Sequence, residues 1–323
     1  MIKLIWRTDA HMSDHTPRSR KDDWTEAVFS NLRQVGAIAS RVEADAIIDG
    51  GDYFDIKRPS KNSHALVRRT IEEHRSYSCP TYVVPGNHDC LHGDYSNLPK
   101  QPLGVLYEAG AFRRLYDDHE ATFEKDGVKV RVVGIPYHGT KYDRDRFRIE
   151  KGDEDFLVVA AHVLASKKGG SMFEGEDIIK YDELLELAPD VDAFCFGHWH
   201  KNQGVTEISP GKFVINVGSL SRGSISQDNL SRIPSCVELT FSDTFSYTVH
   251  ELQVPPAEEV FDVEGKQREE QRESTMEEFV SSIRTTLSNV SSRPLSEVLD
   301  DLSGEVPDIV KERTRSYLEE ALT

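Results

Sequence analysis

The sequence has no apolar run of membrane-spanning length and no CxxC pair. Its four cysteines are scattered along the chain: Cys79, Cys90, Cys195 and Cys236. This scatter excludes zinc-ribbon and redox motifs and is typical of free, mostly buried thiols in a reducing cytosol. The apolar stretch IKLIW near the start is too short for a signal peptide and runs straight into Arg7 and Asp9. We therefore expect a cytoplasmic protein.

Positive charge is also scarce. The chain of 323 residues carries 39 lysines and arginines against 56 aspartates and glutamates, a net charge of −17. This balance argues against a protein that coats nucleic acid non-specifically. It does not exclude a nuclease, because acidic metal ligands add negative charge and bound metal ions restore positive charge locally.

Strand-length apolar runs recur along the chain and predict the core. They cover residues 2–6, 46–48, 81–84, 128–133, 156–160, 193–196, 213–217, 237–241 and 246–252. Helical spacing of apolar residues separates the early runs, at 22–40 and more weakly at 101–110. This alternation predicts βαβ units up to about residue 110. We expect an α/β protein with a two-sheet β-sandwich core flanked by helices.

The composition changes at VPPAEE, residues 254–259, and the stretch 264–274 is mostly charged. Beyond it, apolar residues follow a helical stripe: Met276, Phe279, Val280, Ile283, Leu287 and Val290. We predict a first domain over 1–253, a charged linker over 254–274 and a helical tail over 275–323. The tail helices either pack on the first domain or bind a partner.

Five short segments place metal-capable side chains directly after strand-like runs. They are WRTDAH (Asp9, His11), IIDGGDYFD (Asp52, Asp55), VVPGNHD (Asn87, His88), VVAAHV (His162) and CFGHWH (His198, His200). Alternate residues of an extended segment point the same way, so one segment can supply two ligands. Gly51, Gly86 and Gly197 precede ligands, where they allow sharp turns and close backbone approach.

The chemistry of this set favours two metal ions. Carboxylate, amide and imidazole ligands together suit Mn²⁺, Fe²⁺ or Zn²⁺ better than Ca²⁺. A carboxylate between two ions can bridge them, and such a pair can activate water and hold a phosphate ester. Any one of these residues alone would be explained as a cap, a turn or a core histidine. Their joint occurrence, in order, indicates a metal site.

In the order DxH, GDxxD, GNHD, His and GHxH, residues 1–220 resemble the calcineurin-like metallophosphoesterases. GGDYFD, VVPGNHDC and GIPYHG look most like the SbcD-type nuclease subunits of DNA double-strand-break repair. INVGSLSR, residues 215–222, resembles the segment that follows GHxH in many of these enzymes.

The resemblance implies a role for each motif residue. One metal would be held by Asp9, His11 and His200, and the other by Asn87, His162 and His198; Asp52 would bridge them. The metal expected from the resemblance is Mn²⁺. His88 would stabilise the transition state or protonate the leaving 3′ oxygen, and Asp55 would hydrogen-bond and orient His88. No covalent intermediate is expected, because water activated by the metals is the nucleophile.

Some features depart from the family pattern. Thr8 replaces the usual serine of the first motif, and Arg7 lies where smaller or polar residues are commoner. Relatives of the nuclease branch carry a DNA-capping domain, whereas only about seventy residues follow Pro255 here. We expect the cap to be reduced or absent.

Two basic loops follow motif residues. The first, 14–21, and the second, 166–170, carry candidate DNA contacts: His15, Arg18, Arg20, Lys21, Lys167 and Lys168. The loops are either phosphate contacts or ordinary solvated loops. The resemblance further implies that the tail docks on an SbcC-type SMC-like ATPase, that the protein is nucleoid-associated, and that helices at 22–40 or 60–76 form a homodimer.

The predicted function is a two-metal DNA exonuclease, and also an endonuclease, of repair or recombination. The alternative within enzymes is a small-nucleotide phosphodiesterase or phosphatase. Protein phosphatases typically read GDxxDRG and GNHE, whereas here Asp55 is followed by Ile56 and Lys57, and the other motif is GNHD. A non-catalytic scaffold is a third hypothesis, against which the intact ligand set and His88 argue.

Overall fold

Strands and helices alternate through the first third of the chain, as the sequence predicts. This computed structural model describes residues 1–90, 94–167, 175–266, 268 and 271. The strands among them are β1 (Ile2–Arg7), β2 (Ala46–Asp49), β3 (Thr81–Val83), β4 (Arg113–Arg114), β5 (Ala121–Lys125), β6 (Val128–Ile135), β7 (Phe156–His162), β8 (Ala165–Ser166), β9 (Ile179–Lys180), β10 (Ala193–Gly197), β11 (Gly204–Ser209), β12 (Lys212–Asn216), β13 (Ser235–Phe241) and β14 (Phe245–Glu251). The α-helices there are α1 (Trp24–Arg41), α2 (His64–Arg75), α3 (Pro102–Glu108), α4 (Tyr181–Leu187), α5 (Gln227–Ser231) and α6 (Ala257–Val260).

The strands form two main sheets. The first has the order β14-β13-β1-β2-β3-β4 and the second the order β11-β12-β10-β7-β6-β5. In both sheets, four neighbouring strands are parallel, while each added outer strand pairs antiparallel with its neighbours. Parallel strands place their carboxyl ends at the same edge of the sheet, so the loops after them can share one site.

The two sheets pack face to face and bury an apolar core between them. Leu4 and Trp6 of β1 point into this core with Val158 and Ala160 of β7, whereas the intervening Ile5 faces α1 on the outer side. This alternation is the period-2 pattern of a strand that is buried on both faces. The two-sheet β-sandwich flanked by helices is therefore confirmed.

Helices cover the outer faces of both sheets. α1 begins at an N-cap aspartate, Asp23, whose carboxylate accepts the backbone N–H of Glu26 at 3.0 Å. Its buried side chains, including Val28 and Leu32, pack with α3 residues on the first sheet. Leu184 of α4 packs on the opposite sheet. The helices leave the edge with the carboxyl ends of the strands open to ligand-bearing loops.

The chain divides into two compact units, Met1–Phe261 and Asp262–Thr323. The first unit contains both sheets and extends through α6, so the beginning of the predicted linker belongs to it. The predicted tail helices, 275–323, lie outside the described residues.

Cys79, Cys195 and Cys236 are buried free thiols. Cys90 is also buried, and its Sγ donates to the carbonyl oxygen of Asp94. Burial raises the pKa of the Cys79 thiol to about 11. In the described part of the chain, no helix is both long and apolar enough to span a membrane.

Candidate metal centre

All five predicted ligand segments lie at the carboxyl ends of parallel strands. In the first sheet, Asp9 and His11 follow β1, Asp52 and Asp55 follow β2, and Asn87 and His88 follow β3. In the second sheet, His162 ends β7, and His198 and His200 follow β10. The structure brings the side chains from both sheets together at one edge of the sandwich.

The first cluster contains Asp9, His11, Asp52 and His200, whose ligand atoms all lie within 4.8 Å of one another. The Nε2 atoms of His11 and His200 are 2.9 Å apart. Asp9 Oδ1 lies 3.4 Å from His200 Nε2 and 3.8 Å from His11 Nε2. Two imidazoles and a carboxylate thus face a common point.

The second cluster contains Asp52, His162 and His198 within the same limit of 4.8 Å. His162 Nε2 lies 3.3 Å from Asp52 Oδ2 and 3.1 Å from the side-chain oxygen of Asn87. Asp52 Oδ2 is also 3.8 Å from His11 Nε2. The Asp52 carboxylate therefore lies between the two clusters, where a bridging ligand would have to be.

The backbone at these residues is strained. Asp9, His11, Asp52 and His198 have φ values of +55°, +50°, +50° and +77°. Such left-handed conformations are uncommon for residues other than glycine, and each costs of the order of 1 kcal/mol. Their concentration at four predicted ligands is typical of a functional site.

The predicted glycines have the spatial roles that the sequence indicated. Gly51 has a φ of +98° and would place a Cβ 2.5 Å from the carbonyl oxygen of Val84. A Cβ at Gly86 would overlap the carboxylate of Asp52, and one at Gly197 would overlap the Thr8 hydroxyl. These glycines let three loops approach one another around the ligands.

The carboxylates of Asp9 and Asp52 are fully or almost fully buried, with 0% and 1% exposure. Burial alone would raise the pKa of Asp9, but hydrogen bonds from His11 and His200 hold it well below its usual range. The pKa of Asp52 is also lowered, because His162 and His11 outweigh its desolvation. Burial alone would lower the pKa of the two buried histidines. Asp55 and Asp9 outweigh burial and raise the pKa of His11 to about 10. Asp52 does the same for His162 and raises its pKa to about 9.

This electrostatic balance is a test of whether metal ions fit. Within the described ranges, histidines are the only cationic partners of the Asp9 and Asp52 carboxylates. Buried carboxylates need compensating positive charge, and divalent ions would supply it. The oxygen and imidazole donors also match the preferences of Mn²⁺, Fe²⁺ or Zn²⁺. The residues present therefore fit a pair of divalent ions.

Asp55 hydrogen-bonds His88, as the resemblance implies, and does so through its main chain. The Nδ1 atom of His88 lies 2.6 Å from the main-chain carbonyl oxygen of Asp55, while the Asp55 carboxylate contacts His11 Nδ1 at 3.2 Å. A carbonyl oxygen only accepts hydrogen bonds, so Nδ1 of His88 carries the proton. Asp55 thus orients His88 through its backbone and orients His11 through its side chain. The predicted hydrogen bond between Asp55 and His88 is therefore present, but its acceptor is the main-chain carbonyl oxygen of Asp55, while the carboxylate contacts His11.

Two residues near the GNHD turn support it without having been assigned a role from the sequence. The Asp89 carboxylate accepts the backbone N–H groups of Tyr53, Phe54 and Gly86 at 2.9 to 3.3 Å. Lys57 Nζ donates to the carbonyl oxygen of Asn87 at 2.8 Å. Asp89 therefore fastens the turn after β3 to the loop after β2. Its position as the last residue of GNHD was a signal, because an aspartate in a tight turn often hydrogen-bonds to the backbone.

A cavity of about 350 Å³ opens over the clusters. It is lined by Asp52, Asn87, His88, Glu176, His198, Trp199, His200 and Lys201. Glu176 is an acidic residue that sequence reasoning missed, and its Oε1 lies 2.9 Å from His198 Nε2. It follows no predicted strand and belongs to none of the five motifs, so no pattern marks it. Lys201 was likewise not singled out, although it directly follows GHWH.

The candidate DNA contacts differ in exposure. His15, Arg18 and Lys167 are exposed, and Lys168 lies outside the described residues. Arg20 has only 9% of its surface exposed, pairs with Asp22 at 2.6 Å and donates to the carbonyl oxygen of Arg222 at 2.7 Å. It is a structural residue of the first unit, so its prediction as a DNA contact is corrected. Lys21 is exposed, but its Nζ donates to the carbonyl oxygen of Glu258 at 2.7 Å.

Comparisons with known proteins agree with this geometry. The family model for calcineurin-like phosphoesterases matches residues 8–202. The chain is 25% identical over 222 residues to the uncharacterized metallophosphoesterase YhaO of Bacillus subtilis, covering 65% of this chain and 51% of that protein. It is 23% identical over 235 residues to the DNA double-strand break repair protein Mre11 of Saccharolobus solfataricus, covering 68% of this chain and 54% of that protein.

Among solved structures, the fold is similar to that of a Staphylococcus aureus protein provisionally assigned as a 5′-nucleotidase and solved with α-ketoglutarate. The TM-score is 0.52 at 16% sequence identity, over 84% of this chain and 58% of that one. This likeness concerns the fold alone. The chain spans about half the length of the curated relatives it matches.

Proposed function

The chain belongs to the calcineurin-like phosphoesterase family, and on that premise we propose that it is a two-metal DNA nuclease. The proposed reaction is hydrolysis of phosphodiester bonds, as an exonuclease and also as an endonuclease, in DNA repair or recombination. The observation that carries the proposal is the buried Asp52 carboxylate between two clusters of histidines and oxygen donors. This arrangement can hold two divalent ions beside a cavity that His88 lines.

We assign the proposed ligands by cluster. Asp9, His11 and His200 would hold one ion; Asn87, His162 and His198 would hold the other; Asp52 would contact both. When bound, the ions would lower the pKa of a water molecule and neutralise charge on the phosphate. The oxygen and imidazole donors suit Mn²⁺, Fe²⁺ or Zn²⁺, and Mn²⁺ is the proposed ion among them because of the resemblance to the SbcD-type nucleases.

His88 would act on the leaving group. Its Nδ1–H is committed to the Asp55 carbonyl oxygen, so Nε2 is the atom that can exchange a proton with substrate. Its backbone N–H donates to Asp52 Oδ1 at 2.7 Å, which fixes the residue next to the proposed bridging ligand. In the charged form, His88 would donate Nε2–H to the phosphate or to the departing 3′ oxygen.

DNA as the substrate is supported by two observations. A relative that is 23% identical is a DNA double-strand break repair protein. The exposed side chains of His15, Arg18 and Lys167 follow motif segments and could contact phosphates. A cytoplasmic, nucleoid-associated location would follow from this substrate.

Two partners are part of the proposal. An SbcC-type SMC-like ATPase would bind the C-terminal helices, which lie outside the described residues. A second copy of the chain would bind through the region of α1 or α2. A groove of about 530 Å³ runs between α2 and α3 and is lined in part by Val67, Ile71 and Val105, which supports the α2 choice.

The second candidate is a small-nucleotide phosphodiesterase or phosphatase of the same family. The acidic net charge of −17 favours it, because a long polyanion gains little from such a surface. The cavity of about 350 Å³ is also of a size that suits a small ligand.

End-labelled linear duplex DNA, incubated with Mn²⁺ and with or without an SMC-like ATPase encoded nearby, separates these functions. We expect metal-dependent release of nucleotides that EDTA abolishes. His88→Ala should bind Mn²⁺ as the wild type does but lose roughly 10²- to 10⁴-fold in cleavage rate. An exposed histidine, His119→Ala, is the matched control. Hydrolysis of bis-p-nitrophenyl phosphate and small nucleotides without any DNA cleavage would contradict the nuclease proposal and support the second candidate.

A further inference from the structure

Three of the predicted metal-binding histidines each have one ring nitrogen near an oxygen of a residue outside the predicted ligand set. His11 Nδ1 faces the Asp55 carboxylate at 3.2 Å, and His162 Nδ1 faces the carbonyl oxygen of Gly50 at 2.7 Å. In both residues, Nε2 is the nitrogen that faces the other predicted ligands. Metal-binding histidines commonly donate their second ring N–H to such an oxygen, which fixes the tautomer and the ring orientation.

His198 has the opposite arrangement. Its Nε2 lies 2.9 Å from Oε1 of Glu176, and this carboxylate accepts the hydrogen bond. Nε2 therefore carries the proton, and Nδ1 is left with the free lone pair. The ring packs beside His162, with centroids 5.0 Å apart, in the second cluster.

We propose that Glu176 is a positioning residue that fixes the tautomer and the orientation of His198, so that Nδ1 is the atom presented to the second metal ion. This inference rests on the proposed two-metal function. Glu176 acts through His198 and not as a ligand itself: in the described part of the chain, the group of mutually close ligand atoms around Asp52 and His162 includes His198 but does not include Glu176.

Glu176 is itself held by a network. The Tyr142 hydroxyl donates to Glu176 Oε1 at 2.8 Å and accepts the backbone N–H of Leu164 at 3.0 Å. Leu164 lies two residues after His162, so one hydroxyl connects the segment that carries His162 to the carboxylate that contacts His198. The Glu176 side chain is only 8% exposed.

The neighbouring residue anchors the same segment. The Asp177 carboxylate accepts the backbone N–H of Tyr142 at 3.1 Å and Nη1 of Arg144 at 2.9 Å. Arg144 also pairs with Glu183 of α4 at 2.8 Å. These contacts fasten residues 176 and 177 to the loop at 142–144. The Glu176 carboxylate is thus built into place instead of extending freely into solvent.

The test compares Glu176→Ala, Glu176→Gln and a control, Glu183→Gln, which removes a carboxylate of the same network that does not contact His198. Full-length proteins are stripped with EDTA and titrated with Mn²⁺, and the bound ions per chain are counted by elemental analysis. The His198 tautomer is read from imidazole ¹⁵N chemical shifts in the metal-free proteins, and thermal unfolding checks the fold.

We expect Glu176→Ala to weaken the binding of one of the two ions by roughly 10- to 100-fold and to leave the other unchanged. In this variant, His198 should no longer be confined to the tautomer whose proton is on Nε2. Glu176→Gln should stay within a few-fold of the wild type, because its amide oxygen accepts the same hydrogen bonds. Glu183→Gln should bind both ions normally.

Three results would overturn the inference. The first is wild-type affinity for both ions in Glu176→Ala. The second is loss of the ion in Glu176→Gln as complete as in Glu176→Ala, which would mean that the negative charge itself is needed, as in a direct ligand. The third is equal loss of the ion in the control variant, which would indicate a general loss of structure around the network. A wild-type protein that fails to bind two ions would instead contradict the proposed function, so the two failures are distinguishable.

Discussion

At the scale of single residues, four of the predicted ligands are held in backbone conformations that such residues rarely adopt on their own. Asp9, His11, Asp52 and His198 all have positive φ. Hydrogen bonds from the surrounding loops hold them there: the N–H of Asp9 donates to the carbonyl oxygen of Gly51, and that of His11 donates to the carbonyl oxygen of Asp52, at 2.9 and 3.0 Å. The loops after β1 and β2 therefore fix each other, and a change in one displaces ligands of both.

Gly86→Ala tests this mutual fit. A Cβ at this position would overlap the carboxylate and the backbone nitrogen of Asp52, so we expect the bridging residue to move and Mn²⁺ binding to fall more than tenfold. Gly223→Ala is the matched control, because a Cβ there would meet Trp24 at an ordinary 3.4 Å. Isothermal titration with Mn²⁺ measures both. Unchanged binding in Gly86→Ala would mean that the position of Asp52 does not matter.

The sequence predicted the members of the site better than their contacts. Strand-end position identified Asp9, Asp52 and His162, because parallel strands bring their carboxyl ends together. It could not reveal Glu176, which reaches the site from a loop through packing that leaves no local pattern. It also could not distinguish Arg20, which is buried, from Arg18, which is exposed, because both lie in one polar loop.

At the scale of elements, a buried polar contact joins β1, β2 and α2 below the site. Arg7 Nε pairs with Asp49 at 2.8 Å, and its Nη2 lies 2.8 Å from His74 Nε2. All three side chains are buried. Arg7 only donates, so His74 Nε2 accepts, while its Nδ1–H donates to the carbonyl oxygen of Thr70. The arginine that departs from the family pattern thus connects a helix to the strands that carry the first two motifs.

This contact predicts a pH-dependent loss of stability. Burial and the Arg7 guanidinium hold the pKa of His74 well below its ordinary value. Below pH about 6.5, the unfolded chain takes up a proton at this histidine that the folded chain does not, so the free energy of unfolding falls by up to about 1.4 kcal/mol per pH unit. His74→Gln keeps an acceptor for Arg7 and should remove this contribution.

Urea unfolding of the wild type and His74→Gln between pH 7.5 and 5, with EDTA in both, measures the difference. The other titrating groups are common to the two proteins, so the difference in slope isolates His74. Parallel curves would contradict a neutral His74 in the folded state.

A second element-scale prediction separates the two arginines of the first basic loop. The Arg20 guanidinium lies 5.1 Å from the ring centroid of Trp24 and 5.3 Å from that of Phe261. We expect Arg20→Met to lower the free energy of unfolding by about 2–3 kcal/mol, because Asp22 and a backbone carbonyl lose a charged donor. The salt dependence of DNA binding should not change.

Arg18→Met is the exposed counterpart. It should leave stability unchanged and, if the proposed phosphate contact exists, reduce the slope of log K against log salt by about one. Filter binding across a salt series and urea unfolding give both quantities. A reduced salt slope in Arg20→Met at unchanged stability would contradict the structural role of Arg20.

The elements themselves were predicted where apolar runs were strong. The nine predicted runs all correspond to strands, but β5 (ATFEK), β11 (GVTEIS) and the two-residue strands β4, β8 and β9 were missed. β5 and β11 are outer strands with mostly exposed or half-buried residues, so they lack the apolar signal of the central strands. Tertiary pairing with β6 and β12 makes them strands.

At the scale of the whole molecule, the first unit closes on itself near its C-terminal end. Phe261 is 1% exposed, and the N–H of Lys21 donates to the carbonyl oxygen of Val260 at 3.0 Å. The ring of Phe261 also packs against Arg20 and Arg222. Residues after the composition break therefore complete the unit, which the charge pattern around them did not indicate.

Two truncated chains test where the unit ends. A chain ending at Phe261 should bind two Mn²⁺ ions and hydrolyse bis-p-nitrophenyl phosphate as the full chain does, but should not associate with the SMC-like ATPase. A chain ending at Pro256 lacks Phe261, and the surface against which Phe261 packs becomes exposed to solvent. Its free energy of unfolding should therefore be lower by at least about 2 kcal/mol. Thermal unfolding and co-purification measure these effects. Full ATPase association by the chain ending at Phe261 would contradict docking through the tail.

The distribution of the ligands over the two sheets has one more consequence. On the proposed assignment, neither ion finds all its donors in one leaf of the sandwich: each takes some from the loops of the first leaf and some from those of the second. Bound cations would therefore link the two sheets, and their binding free energy would stabilise the packing of one sheet on the other. Chelation of the ions should then weaken the packing between the two sheets before either sheet unfolds. Two fragments produced by a cut between β3 and β7 should bind metal only after they reassemble.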